Sequence, residues 1–378
     1  MSLSMPPSSA NRWRQVDWVL IGATLTLAFI GTLLVWSATK PSQVALGLDP
    51  QGYMKKHVLT LVIACFIGIV ASRLDYALLR AYAPVLYGAS ILGLVAVLFI
   101  GANINGHRAW IKLPGGFTLQ PAEFTKVAVI VIMSFMLAEP RDEAKGPTGR
   151  DLLPVLALVG VPLLLIMKQG DLGTSIVLSV TTLGVLAVGR MPRNWFIAVL
   201  IAIVAAVSIA LTVPGVLKGY QRDRITVFID PKVDPTGAGY NLAQVRIAIG
   251  SGGWTGSGLF KGQQTNGRFV PEQQTDFIFS AAGEELGFLG SGLIVVLLGI
   301  IVWRALRIAG RAPDAFGRIA AAGIACWIGF QAFENIGMDL GIMPMTGVPL
   351  PFISYGGSSL FALGIAVGIL QQINVGRG

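Results

Sequence analysis

The sequence predicts an all-α polytopic membrane protein of about ten transmembrane helices, N-in and C-in, with one large extracytoplasmic loop between the seventh and eighth spans. Three observations carry that prediction. Of 378 residues, 54% are hydrophobic and only 12% charged, with a mean hydropathy of +0.71, which is far more apolar material than a soluble core of this length needs. The apolar residues gather in runs of about 20, the length of one helical crossing. The basic residues, finally, divide unequally between alternate loops.

Taken in order, the runs centre near residues 27, 64, 92, 131, 160, 180, 204, 290, 327 and 364. The first, from about Val16 to Ala38, is too long for a signal-peptide core and lacks a small-x-small cleavage site, so it reads as a retained span. The fourth and sixth are short. An even number of crossings places both termini on one side. With that side inside, the inner segments hold half of the 28 basic residues, among them Arg12, Arg14, Arg304, Arg307, Arg311 and Arg318. The short outer loops then hold only Lys40, Lys55, Lys56, Arg108, Lys112 and Lys168, as the positive-inside rule requires. Residues 1–378 read as a single integral membrane domain, with residues 214–274 as the large extracytoplasmic loop within it. That loop is too short for a separate catalytic domain, so any chemistry must combine loop and helix residues. Its "DPTGAGYNLAQVRIAIGSGGWTGSGLFKG" begins with turn residues, passes through an amphipathic stretch from Tyr240 to Ile249, and ends rich in glycine. A helix lying on the membrane surface is expected there.

The composition excludes several classes of function. The net charge of +9 comes from basic residues scattered singly, without clusters or interleaved aromatics, so no nucleic-acid partner is expected. Cys65 and Cys326 lie in apolar runs without a CxxC or Cys/His neighbourhood. GxSxG, GK[ST] and HExxH are absent, and the two histidines, His57 and His107, both fall near membrane ends.

What remains is a set of charges at membrane depth, where an ionisable residue is costly and points to function or to a specific partner. In "QPAEFTKVAVI", Glu123 and Lys126 share a helical face in the order that favours an ion pair, either as an anchor or as part of a site. In "RFVPEQQTDFIFSAAGEELGFLG", a helix starting near Asp276 would put Glu284 deeper on a face that can share a cavity with it, and Glu285 on the opposite side. Asp276 suits a helix-capping carboxylate as well as a catalytic one. In "GIMPMTGVPLPFISYGGSSLFALG", Pro344, Pro349, Pro351, Gly356 and Gly357 forbid a continuous helix although no charge interrupts the run. Apolar, non-helical backbone must be buried in protein or line a cavity, which predicts a re-entrant loop.

"QPAEFTK", "PEQQTDFIFSAAGEELGFLG" and "NIGMDLGIMPMTGVPLPFISYGGSSL" closely resemble the signature segments of the SEDS family (shape, elongation, division and sporulation). "DPTGAGYNLAQVRIAIGSGG" resembles that family's large outer loop. The matches run in family order over about residues 101 to 360. Within the family the chain is most similar to the elongation branch, with the division branch next. The resemblance implies a peptidoglycan glycosyltransferase of the bacterial cytoplasmic (inner) membrane that polymerises lipid II at its outer face during cell elongation and releases undecaprenyl diphosphate. It implies a class B penicillin-binding protein, a transpeptidase, as partner, together with other elongation-complex membrane proteins. The family's essential aspartate falls on Asp276, and its QPxExxK residues fall on Glu123 and Lys126. Expected substrate contacts also include Arg108, Trp110, Arg246, Glu284, Pro351, Ser354, Gly356, Gly357 and Ser358. Two departures stand out: Gln274 occupies a position that is often histidine, and Arg108 is displaced by one residue from the usual arginine before the tryptophan.

The chemistry can be argued beside the resemblance. An α-linked sugar diphosphate converted into a β-linked polymer requires one inverting displacement, in which a base takes the proton of the acceptor 4-hydroxyl. Asp276 is the expected general base. The diphosphate leaving group needs charge stabilisation, for which Lys126, Arg222, Arg224, Arg246, Arg268 or a divalent cation, Mg or Mn, are all candidates. A lipid-precursor flippase, the division-specific role, or a scaffold for the penicillin-binding protein are the competing expectations.

Overall fold

The computed structural model describes residues 15–104, 107–138, 149–212, 219–230, 233–235 and 237–376. Fourteen helices appear among them. α1 (Trp18–Ala45), α2 (Gly52–Arg73), the short α3 (Tyr76–Ala81) and α4 (Ala83–Ile100) lead into a small antiparallel sheet of β1 (Ala102–Ile104), β2 (His107–Leu113) and β3 (Phe117–Leu119). Then follow α5 (Pro121–Leu137), α6 (Gly149–Gln169), α7 (Leu172–Val188) and α8 (Arg193–Thr212). The helices of the long loop are α9 (Gly219–Ile229), α10 (Ala238–Ser251) and α11 (Gln263–Gly267). α12 (Ile278–Arg311), α13 (Ala315–Leu340) and α14 (Gly357–Val375) follow. Each of the ten run centres falls inside a helix. Six helices, α1, α2, α4, α12, α13 and α14, are long and apolar enough to cross a membrane, and α6, α7 and α8 contain shorter apolar stretches. The sheet is an addition that hydropathy did not foretell: it is only three short strands between α4 and α5.

α13 is the core of the bundle, with almost three quarters of its apolar window buried. Small residues make this possible. A methyl on Gly323 would lie 2.8 Å from Val185 and 2.9 Å from Ile130, so α13 meets α7 and α5 at close range. α2 and α14 cross even more tightly. A Cβ on Gly364 would sit 2.5 Å from the Ala64 carbonyl oxygen, and one on Gly368 would sit 2.5 Å from that of Gly68, the small-residue packing that lets membrane helices touch along their backbones. Outward faces stay apolar, as at Phe66, Leu92 and Phe99, where lipid is the natural neighbour. α1 is fixed at its start by Asp17, whose carboxylate accepts from the Leu20 amide at 3.0 Å and from the Arg304 guanidinium at 2.6 and 2.7 Å.

Two interruptions position the site. At Gly287 (φ 67°, ψ −166°) α12 breaks into a short N-terminal piece and a long C-terminal one. The carbonyls freed by the break accept from the long loop, Ser257 N–H to Glu284 and Gly258 N–H to Glu285, both at 3.0 Å. The amides of Phe288 and Leu289 in turn donate to the carbonyls of Gly253 and Trp254. The loop's backbone therefore replaces the lost helical bonds, the condition under which a broken helix survives at membrane depth. The second interruption is the Pro/Gly segment from Gly341 to Gly356, which is irregular and largely buried, as the prolines predicted. Helices enclose it: Gly31 of α1 packs on the Ile353 backbone, and Gly173 of α7 packs on Val348 and Thr346.

Candidate active site

Asp276 lies in the turn just before α12, on an element held from three sides. Its amide donates to the Glu272 carbonyl at 3.1 Å, and its own carbonyl accepts from the side-chain amide of Asn335 at 2.7 Å. The same amide group donates to the Val348 carbonyl at 2.8 Å, which ties the turn to the Pro/Gly segment. Next door, the Tyr355 amide donates to the Gln274 carbonyl at 2.9 Å. Gly347, at φ 75°, faces the carboxylate: a methyl there would lie 3.1 Å from Asp276 Oδ2 and 3.5 Å from Arg224 Nη1. The Asp276 side chain is half-buried in a recess whose protein walls push its carboxyl up to about 6. Loss of hydration is the main cause. The Arg224 guanidinium pulls the other way, Glu272 and Asp171 add to the rise, and the Thr275 hydroxyl lowers it.

Lys126 and Glu123 do form the ion pair that their spacing predicted, at 2.8 Å, on α5 and fully enclosed. Lys126 also donates to Gln331 Oε1 at 2.9 Å and lies 5.0 Å from the Trp327 ring centroid. The ammonium's donors are thus taken up by the protein. Gln331 passes the connection on, donating from its other end to the Pro349 carbonyl at 2.8 Å, so the pair supports the Pro/Gly segment from below.

The three carboxylates of the Asp276 stretch have separate destinations. Glu284 does not turn toward Asp276: one oxygen accepts from the Gln264 amide at 2.7 Å, and the other from the Thr265 amide at 3.0 Å and its hydroxyl at 2.7 Å. It caps α11 from outside and pins the loop. α12 begins at Ile278, so the spacing assumed for a helix from Asp276 does not hold. Glu285 accepts from the Ser37 hydroxyl at 2.6 Å and the Phe260 amide at 3.1 Å, joining α12 to α1 and the loop as a packing group.

The other expected residues surround this centre in different ways. Ser354 accepts from the Leu350 amide at 2.8 Å within the buried turn that contains Pro351. Ser358 accepts from the Gln120 amide at 2.8 Å and donates to the Thr118 carbonyl, and Gln120 donates to Asp171 at 2.7 Å. Gly356 precedes α14, and Gly357, its first residue, lies beside Thr60 and Thr118. These bonds gather the starts of α5, α7 and α14 at one end of the bundle. Arg108 is exposed and Trp110 half-buried on β2, the strand next to β3. Arg246, on α10, donates to the Gly341 carbonyl at 3.3 Å and so closes the C-terminal end of α13. Among the described residues no three His, Cys, Asp or Glu side chains converge to hold a metal ion. Sequence reasoning missed Asn335, Gln331 and Gly347, and also Glu334, which is fully buried one turn from Gln331. A polar row at 327, 331, 334, 335 and 339 along α13 was the available signal.

Comparison with known proteins bears on this geometry. Residues 17–377 match the family model for the FtsW, RodA and SpoVE cell cycle proteins. The chain is 37% identical over 371 residues to a probable peptidoglycan glycosyltransferase FtsW from Trichlorobacter lovleyi, covering 97% of this chain and 94% of that one. It is 35% identical over 373 residues to the peptidoglycan glycosyltransferase MrdB of Escherichia coli, covering 98% and 97%. Among solved structures it superposes with a TM-score of 0.78, at 29% identity and covering 96% and 98% of the two chains, on a chain of a peptidoglycan synthase complex described as coordinating polymerization and crosslinking. It also superposes, with a TM-score of 0.70, at 27% identity and covering 97% and 98%, on the rod shape determining protein RodA of Thermus thermophilus.

Proposed function

The chain belongs to the FtsW/RodA/SpoVE (SEDS) family of multi-pass cytoplasmic membrane proteins, and on that footing we propose that it is a peptidoglycan glycosyltransferase that polymerises lipid II at the outer face of the membrane, with Asp276 as general base. The observation that carries this reading is the Asp276 carboxylate itself. It stands in a recess between the outer loop and the Pro/Gly segment, its backbone fixed by Asn335 and its own oxygens uncommitted to any bond within the described structure beyond the neighbouring Thr275 hydroxyl. A base needs that combination of a fixed carbon frame and a free lone pair.

In the reaction proposed, Asp276 takes the proton of the acceptor 4-hydroxyl while that oxygen attacks the anomeric carbon and the diphosphate departs with the bonding pair, inverting the centre in one displacement. Lys126 and Glu123 act indirectly, as the support beneath the Pro/Gly wall. The N-in, C-in arrangement, which puts residues 214–274 and Asp276 outside, rests on the distribution of basic residues. A class B penicillin-binding protein as partner is supported by likeness to a chain of the synthase complex. An elongation role is supported by likeness to RodA.

The test is lipid II polymerisation by the purified chain with its transpeptidase partner, with and without EDTA. Asp276→Asn should insert and fold but yield no glycan; polymer at the wild-type level from that variant overturns the assignment. Depletion in the parent bacterium separates the roles, because rounding of cells supports elongation and filamentation supports division.

A further inference from the structure

The polymerase reading requires a cation at the leaving diphosphate, and five basic residues were candidates for it on sequence alone. The structure separates them. Lys126 is enclosed and engaged by Glu123, Gln331 and the Trp327 ring. Arg246 is spent on the end of α13. Arg268 caps α11 in the left-handed region, on the exposed side of the loop. The side chain of Arg222 lies outside the described ones. Arg224, on α9, is the one that reaches the recess. Its Nη1 donates to the carbonyl of Thr346, the residue before Gly347, at 3.1 Å, and both it and Asp276 Oδ2 approach the point where a Gly347 methyl would lie, at 3.5 and 3.1 Å.

We infer that Arg224 binds the diphosphate of the lipid-linked donor and stabilises it as it leaves, with Gly347 as the floor of a gap that Asp276 bounds on one side and Arg224 on the other. This rests on the polymerase reading and extends it to a second catalytic residue. Three features support it. The two side chains each lie within 3.5 Å of the point where a Gly347 methyl would be, so a base and a cation border the same small space. They do not meet as an ion pair; Arg224 acts on Asp276 through space, and among the described residues its one hydrogen bond, to Thr346, leaves most of its five N–H donors for a ligand. A planar guanidinium fork also matches phosphate oxygens better than an ammonium does. In the step, the acceptor O–H proton passes to Asp276, the new O–C1 bond forms as C1–O(diphosphate) breaks, and the electron pair settles on the diphosphate oxygen facing Arg224.

The assignment is tested by direct binding of farnesyl diphosphate, with farnesol as the control that lacks the charged group, to the full chain in detergent. Arg224→Ala should weaken farnesyl diphosphate binding by about tenfold or more and leave farnesol binding unchanged, while Arg224→Lys should fall between. Asp276→Asn should bind as well as wild type or better. Equal binding of farnesyl diphosphate by wild type and Arg224→Ala, no binding by wild type, or a parallel loss of farnesol overturns the inference. Polymerisation by the same preparations separates the two levels. A wild-type chain that binds the diphosphate through Arg224 yet makes no glycan sinks the polymerase reading alone, whereas polymerisation with Arg224-independent diphosphate binding sinks this assignment alone.

Discussion

The side-chain amide of Asn335 donates to the Asp276 carbonyl at 2.7 Å and to the Val348 carbonyl at 2.8 Å, so one group near the C-terminal end of α13 holds the base against the segment that faces it. Removing it leaves two carbonyls without a donor, at a cost of about 1 to 3 kcal/mol for each that is truly buried. Asn335→Leu should therefore lower the melting temperature in detergent. Polymerisation should fall further, by about a hundredfold, because a small displacement of the base is amplified in rate. Thermal melting and glycan yield on the same sample check both.

Asp276 carries a carboxyl raised to about 6 against an ordinary 3.8. Polymerisation should rise with pH through about 6 as the base ionises, with its acid limb there. Stability should move the opposite way. The folded state holds this proton more tightly than the unfolded chain does, so the group's contribution is full below about pH 4 and is lost as pH rises through about 6. Asp276→Asn should then melt higher than wild type at about pH 8 and show no such gain at about pH 4. Loss of hydration sets where the limb falls, with Arg224, Glu272, Thr275 and Asp171 adjusting it, and Asp339 also lies close enough to feel its charge. Melting curves at the two pH values decide the point.

Gly347 has the left-handed backbone, and a methyl on it would lie 3.1 Å from Asp276 Oδ2. Gly347→Ala adds about 1 to 2 kcal/mol of backbone strain and puts carbon into the gap. The expected result is at least a tenfold loss of kcat with a folded protein, read by steady-state polymerisation beside a melting curve.

Lys126→Met leaves the Glu123 carboxylate enclosed without its cation, which costs about 3 to 5 kcal/mol. Glu123→Gln combined with Lys126→Met should recover a good part of that loss, since the uncompensated charge is gone. Expression and melting temperature of the single and double variants form the measurement. A catalytic Lys126 would show an inactive double variant with restored stability.

Glu284→Gln removes the charge that receives the amides of Gln264 and Thr265. Hydrogen exchange at residues 257–265 should speed up by about tenfold, with a modest loss of activity. A changed KM with unaltered exchange would instead make Glu284 a substrate ligand.

Much of this was legible in the sequence. Runs of apolar residues identify helices because one crossing has a fixed length, and the prolines from Pro344 to Pro351 mark the irregular segment because they cannot be helical. Asp276 was visible as a charge at the mouth of a span. The rest depends on distance along the chain. Gln331 meets Lys126 from 205 residues away and Asn335 meets Asp276 from 59, and no local pattern encodes either pairing. The break at Gly287 was hidden because glycine in an apolar run looks the same whether it packs or bends. Glu284 was misplaced for a related reason: its partners Gln264 and Thr265 are in the loop, and helical spacing describes only a residue's own helix.

The close crossing of α2 and α14 sets an order of events during synthesis. Among the described helices α14 leaves the ribosome last, yet its Gly364 and Gly368 seat against Ala64 and Gly68 of α2. Until it arrives, α2 presents a backbone groove to the lipid, and Ser358, at the start of the same late helix, has not yet tied down Gln120. A nascent chain halted before residue 357 would hold Asp276 and Gly347 but lack the element that closes the bundle around them. Of the described helices, α14 is thus the one whose arrival completes the packing around α2 and Gln120.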